Sequence, residues 1–285
     1  MIQPKGGVAF FLKVDFEKNC LNTHGQIKVG YDKIQYCKVV GDLLWVLGVD
    51  TLASFEISDL EIGFAQVLKP KTFIQNNLLA GAHVFHIEKD SLYVSSSGCE
   101  GVLVFSTTDG KLLRKYLFKG YKLLRSYRLP KNLNLKENYI TNDFQKFHLN
   151  SCTKHNEKIF FTTLSGLVGY FHEDTGKSTV IGKGYIGLHH IKYNPLNDHL
   201  HMIQSTTGTF ICMDTEGKVL NQHQIDSRWV QSAISWEKCS EIIYLDTFNK
   251  SLVLESQATG KKVLTEFSMG EKNYGGPIFI SKAMV

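Results

Sequence analysis

Three histidines fall at matching intervals in this chain. His83 stands 18 residues before Gly101, His148 stands 18 before Gly166, and His190 stands 18 before Gly208. His148 and His190 are themselves 42 residues apart, and one further step of 42 reaches Ser232, with Gln231 beside it. An imidazole repeated at one position of a structural unit brings several rings toward a common centre. Neutral ring nitrogens so gathered hold Zn, Fe or Mn and leave a position open for water or substrate. The same rings move protons near neutral pH. His83, His148 and His190 are therefore the candidate metal ligands or acid–base groups. The bland alternative is that a histidine at a channel mouth merely bonds a backbone carbonyl, and that its recurrence reflects duplication alone.

The flanking residues extend this reading. Asn150 lies two residues from His148 and shares its face of a strand. Asn150, Ser232 and Gln231 are hydrogen bonders that can orient a substrate. Asp143 can steady an imidazole from behind, or serve with Asn142 as a turn residue. Arg228, in Asp226-Ser227-Arg228-Trp229, can grip a carboxylate, phosphate or sulfate with both arms of its guanidinium. His86, His189, His199, His201 and His223 read as structural. His86 and His189 face away from the ring, and each becomes a candidate if the strand register shifts by one residue. His199 and His201 share a face of a second strand, where packing between sheets accounts for them.

Strands must position these groups, because helical periodicity is scarce. Short runs rich in Val, Ile, Phe, Tyr and Thr alternate with Gly, Asn and Asp. Units of about 42 residues with four strands each are the mark of propeller blades. Five units are legible, near 33–68, 82–118, 147–182, 188–223 and 229–267. A polar residue followed by Gly recurs at Asp109-Gly110, Thr175-Gly176, Glu216-Gly217 and Thr259-Gly260, where a tight hairpin needs left-handed backbone. Leftover strands at Val8–Val14, Ile27–Val29 and Ile278–Ile280 predict a sixth blade closed by both chain ends. The expected fold is thus all-β, a six-bladed β-propeller spanning residues 1–285 as a single domain, with seven blades as the main alternative.

One stretch breaks the period. His83 and His148 are 65 residues apart, and the excess falls at about 119–143. From Lys111 to Lys136 there are nine Lys or Arg and no Asp or Glu, with Tyr116, Tyr121 and Tyr127 interleaved. This basic insert suits a rim that draws in an anion, a solvated loop, or a short amphipathic helix through Leu112, Leu113, Tyr116 and Leu117. Nucleic acid is the minor reading, since the whole chain carries only +5.

Composition bounds the rest. A chain of 285 residues with 43% hydrophobic and 12% aromatic residues can bury a sizeable core. No apolar run is long enough for a membrane helix, and Met1–Gly7 lacks the apolar core of a secretion signal. Six cysteines without a Cys-x-x-Cys pair read as free buried thiols in a reducing, cytoplasmic setting. There is no Gly-x-Ser-x-Gly elbow, no complete phosphate loop, no His-Glu-x-x-His and no EF-hand loop. No Trp-Asp dipeptide closes a unit.

The segment Phe147-His148-Leu149-Asn150-Ser151, and Leu188-His189-His190-Ile191 followed by Ser205-Thr206-Thr207-Gly208, resemble blades of six-bladed propellers of the NHL, strictosidine-synthase-like and arylsulfotransferase-like kind. In the last of these an acid followed by His-x-Asn-Ser recurs at an inner strand. Asp143, His148, Asn150 and Ser151 match it, with the acid displaced. The resemblance implies a site at the channel mouth and assigns no reaction. Carotenoid-cleaving propellers hold iron with four axial histidines on seven blades, and this chain is shorter and offers three. Together these readings predict an enzyme, a lyase, hydrolase or transferase, acting on an anionic small molecule or glycan. The alternative is a non-catalytic propeller that binds a ligand or a protein.

Overall fold

A computed structural model describes residues 7–15, 20–29, 34–59, 69–118, 134–135, 147–227, 229–235, 241–246, 251–256 and 260–266. Apart from a single 3-10 turn at Ile57–Asp59, the regular structure of these residues is strand. The first pair, β1 (Gly7–Asp15) and β2 (Cys20–Val29), forms a hairpin of its own. Five antiparallel sheets of four strands follow. Blade 1 holds β3 (Tyr36–Val40), β4 (Leu43–Leu47), β5 (Thr51–Glu56) and β6 (Thr72–Gln75). Blade 2 holds β7 (Ala82–Glu88), β8 (Ser91–Ser96), β9 (Gly101–Ser106) and β10 (Leu112–Leu117). Blade 3 holds β11 (Leu149–His155), β12 (Lys158–Thr163), β13 (Val168–His172) and β14 (Ser178–Gly182). Blade 4 holds β15 (Leu188–Asn194), β16 (His199–Gln204), β17 (Thr209–Met213) and β18 (Val219–Gln224). Blade 5 holds β19 (Val230–Ser235), β20 (Glu241–Asp246), β21 (Ser251–Ser256) and β22 (Gly260–Glu266).

The fold is a β-propeller, and the expected sixth blade is absent among the described residues. A blade needs four paired strands. The N-terminal strands pair only with each other, although β2 runs close to β22. Ile278–Ile280 lies outside the described residues.

In blades 2 to 4 each middle strand is buried on both sides because a neighbouring blade covers each face, and blade 1 buries its second face in a cluster of its own residues. Adjacent residues therefore serve different cores. Leu92 packs with Trp45, Leu52 and Phe105 between blades 1 and 2, while Tyr93 packs with Phe161 and Phe171 between blades 2 and 3. Phe160 and Met202 fill the space between blades 3 and 4, and Ile203, Phe210 and Tyr244 that between blades 4 and 5. This double burial turns simple alternation into continuous apolar runs such as Leu-Leu-Trp-Val-Leu in β4. The outermost strands β10 and β18 are mostly exposed and carry Arg114, Lys115, Asn221 and Gln222, which discourages edge pairing.

The polar-Gly hairpins lie where expected, with φ of 69° at Gly110, 63° at Gly176 and 98° at Gly217. Residues 112–117 are the strand β10 and not a helix, because their backbone pairs with β9 and leaves Leu113 exposed. Of the basic insert, only Asn134 and Leu135 are described. Leu135 is buried in the core between blades 1 and 2, and its N–H donates to the Asn77 carbonyl at 2.9 Å.

Candidate functional site

The innermost strands set the site, and their register corrects the equivalence drawn from spacing. The carbonyls of Gly81, His148 and Gly187 accept from the N–H groups of Ser97, Leu164 and Ser205. These three residues are structural equivalents, and all have left-handed backbone, with φ of 59°, 47° and 60°. His148 thus occupies the turn before the strand, where the other two blades use glycine. Two residues on, the equivalents are His83, Asn150, His189 and Gln231, each two residues past its turn and next to the strand's bulge. Blade 1 joins this ring at Gln35, counting back from its outer two-residue turn at Gly41-Asp42, which matches Lys89-Asp90. His190 belongs one level further in, beside Tyr36, Val84, Ser151 and Ser232. The interval of 42 between His148 and His190 was a coincidence of loop lengths.

Despite the different register, two of the histidines meet. The rings of His83 and His148 lie 5.1 Å apart between centroids. The ring of His190 packs edge-on against Tyr36 at 5.7 Å. Blades 1 and 4 are not neighbours in a ring of five, so this contact spans the axis and constricts the channel there. His189 Nδ1 lies 2.9 Å from the Gly187 carbonyl, to which its N–H donates, and 2.8 Å from Ser205 Oγ, and its ring faces Trp229 at 6.2 Å. Asn150 donates from Nδ2 to the Leu188 carbonyl at 2.6 Å and so ties blade 3 to blade 4.

What remains is unpaired. His83 Nε2, His148 Nδ1, Asn150 Oδ1 and both ring nitrogens of His190 are sealed from solvent with no hydrogen-bond partner. His83 is partly exposed as a residue, yet that nitrogen is covered. An unsatisfied buried polar group costs about 1–3 kcal/mol and is rare in native proteins. Here five such atoms cluster at the inner strands of three blades. Backbone strain marks the same place. Of the described non-glycine residues with positive φ, Lys89, Asn156 and Asp198 are turn residues at the outer ends of first strands, whereas His148 precedes β11, His190 sits at the β15 bulge and Glu100 lies in the β8–β9 turn that bonds to His148. Such outliers persist where the surroundings over-determine them, and they concentrate at functional sites.

Burial controls the charge. It pushes the His83 imidazole down to about 3, helped by His148 and His189, and the His148 imidazole down to about 4, helped by His189. It holds His190 well below the usual range, with Lys192 and His189 adding to the effect. All three are neutral at pH 7. Two levels beyond His190 lie Lys38, His86, Thr153 and Lys192. Burial lowers both lysine amines, Lys192 to about 7, and Lys38 further lowers Lys192 and His86 by like charge. The structure thus brings His83 and His148 together, ties Asn150 to the Leu188 carbonyl and seats His190 against Tyr36. Ser232 is buried at the His190 level of blade 5, and Gln231 has its backbone in β19. Arg228 and Asp143 lie outside the described residues.

Spacing alone missed Glu100, Lys38 and Lys192. Glu100 is 5% exposed, and its carboxylate accepts the N–H groups of Phe147 at 3.1 Å and His148 at 3.0 Å, fixing the strained turn. Its signal was a departure from pattern: the corresponding turns of blades 3 and 4 carry Gly166 and Gly208. The lysines were hidden because their level becomes visible only after the bulges are placed. Three donors within 4.8 Å of one another, as a metal needs, occur among the described residues at His199, His201 and Cys212 and not among the axial histidines. A shallow recess of about 400 Å³ between β10 and the Glu173–Gly176 turn lies at the rim, away from the axis.

No family model matches the chain, and no curated protein sequence matches it. Solved structures do. The β-propeller domain of Cps50 (Swd1) from Myceliophteria thermophila aligns at 11% identity and a TM-score of 0.53, over 78% of this chain and 64% of that one. The chain therefore spans less than two thirds of that domain. A streptogramin B lyase aligns at 10% identity and a TM-score of 0.55, over 94% of this chain and 76% of that one. Likeness at this identity establishes the β-propeller fold and nothing finer.

Proposed function

We propose that this chain is a ligand-binding β-propeller whose axial site takes a small or medium organic anion. The observation that carries this reading is the cluster of buried, unpartnered polar atoms on His83, His148, Asn150 and His190. Neutral imidazoles can donate one N–H each to an anion, Asn150 Oδ1 can accept from a hydroxyl of the same molecule, and Ser232 adds a further hydroxyl. Lys38 and Lys192, two levels beyond the Tyr36–His190 contact, add positive potential along the axis. Imidazoles held at 3 to 4 are weak bases at pH 7, so the resting site favours binding over proton transfer. A bound anion raises both values. That favours a catalytic second reading, in which the adjacent His83 and His148 rings exchange a proton with a bound acid.

The test is thermal denaturation of the full chain with phosphate, sulfate, citrate and a sugar phosphate as probes. At least one is expected to raise the melting temperature in a saturable way, with the effect lost in His148→Asn and Asn150→Ala. No saturable shift with any anion, or an equal shift in both variants, overturns the proposal. Turnover of the binding anion, lost in His83→Gln with binding kept, identifies the catalytic version.

A further inference from the structure

We propose that His199, His201 and Cys212 form a transition-metal site on blade 4, separate from the axis, with zinc(II) as the fitting occupant. His199 and His201 are two apart on β16 and so point the same way. Cys212 pairs directly with His201 across the β16–β17 ladder and therefore shares that face. One donor atom from each of the three lies within 4.8 Å of the other two. The Cys212 sulfur is 3.4 Å from His199 Nδ1. A tetrahedral zinc with Zn–S of about 2.3 Å and Zn–N of about 2.0–2.1 Å sets its sulfur and nitrogen donors about 3.5 Å apart. The spacing is therefore already that of two ligands on one ion.

The donor chemistry selects the metal. Two imidazoles and a thiolate suit zinc or copper and reject Mg²⁺ and Ca²⁺, which need oxygen. His201 and Cys212 are 4% and 1% exposed, while His199 at the strand end is partly open. The fourth position thus faces the solvent side and takes water, the arrangement of an open zinc site. Lys192 sits opposite His201 on the other neighbouring strand, so an incoming dication meets a like charge. The negative thiolate offsets it. On binding, the Cys212 S–H bond breaks, the sulfur bonds the metal, and the proton passes to water. Phe210 packs against the His201 ring at 5.5 Å and fixes its plane.

A thiol–imidazole hydrogen bond without metal would have the same 3.4 Å spacing, and the experiment separates the two. The full chain is stripped with chelator and titrated with cobalt(II), then with zinc(II) in competition. The expected result is one metal per chain, with a near-ultraviolet sulfur-to-cobalt band and the strong visible bands of tetrahedral cobalt. Cys212→Ser removes the charge-transfer band. His199→Asn, at the open strand end where the core is untouched, weakens zinc binding by more than the roughly 10–100-fold typical of outer partners. His148→Asn leaves both unchanged. Absence of stoichiometric binding to the folded wild-type chain overturns the proposal. So does a charge-transfer band that survives Cys212→Ser, or metal that is lost on His148→Asn.

Discussion

Acidification should destabilise this propeller well before its carboxylates titrate. Burial holds His83 and His86 down to about 3, and His148 and His201 down to about 4, against an ordinary 6.5. With the folded value below the unfolded one, the unfolded chain binds more protons at every pH between them. The stability these imidazoles contribute is complete above about pH 7 and declines as pH falls through 6.5 toward 4. For one such imidazole the loss at pH 5.5 is about 1.4 kcal/mol. Four of them give about 5–6 kcal/mol, comparable with the whole stability of many domains. Lys192, pushed down to about 7, acts with the same sign at higher pH, until above about 9 the buried Cys37, Cys99 and Cys152 thiols, which burial holds protonated, act with the opposite sign. The assay is urea denaturation followed by tryptophan fluorescence, to which buried Trp45 contributes, at pH 7.5, 6.5 and 5.5. The midpoint should fall steeply over this range, and less steeply in His83→Gln, which removes one of the protons. A midpoint that does not move between pH 7.5 and 5.5 would refute the argument, because it would mean that the axial rings are hydrated or partnered in the folded chain.

Two substitutions test the frame that holds the site. Glu100→Ala strips the acceptor from the Phe147 and His148 N–H groups and should cost about 1.5–3 kcal/mol by chemical denaturation; Glu100→Gln, which keeps an acceptor oxygen, should recover part of that loss. Gly166→Ala places a Cβ 1.9 Å from the Tyr185 carbonyl oxygen at a φ of 86°, so the melting temperature should drop by an amount corresponding to at least about 3 kcal/mol, whereas Gly184→Ala, with open space around it and the same φ, should cost only its backbone strain of about 1–2 kcal/mol.

The fold class and five blade positions were legible because they rest on local facts. Alternation, polar-Gly turns such as Thr175-Gly176, and the spacing of apolar runs are properties of neighbouring residues, and no distant contact can erase them. The blade count was less secure. Val8–Val14 and Ile27–Val29 are strands as expected, but whether two strands complete a blade depends on partners far away in the chain. Register was beyond the sequence altogether. A bulge in each of the inner strands of blades 2 to 5, together with unequal loops, made His148 look equivalent to His83 and His190, when its counterparts are Gly81 and Gly187. The composition of the strands decides that a propeller forms. Only the packing of blades around the axis decides which side chains meet there, because one inserted residue moves every later group along the channel without altering the local pattern.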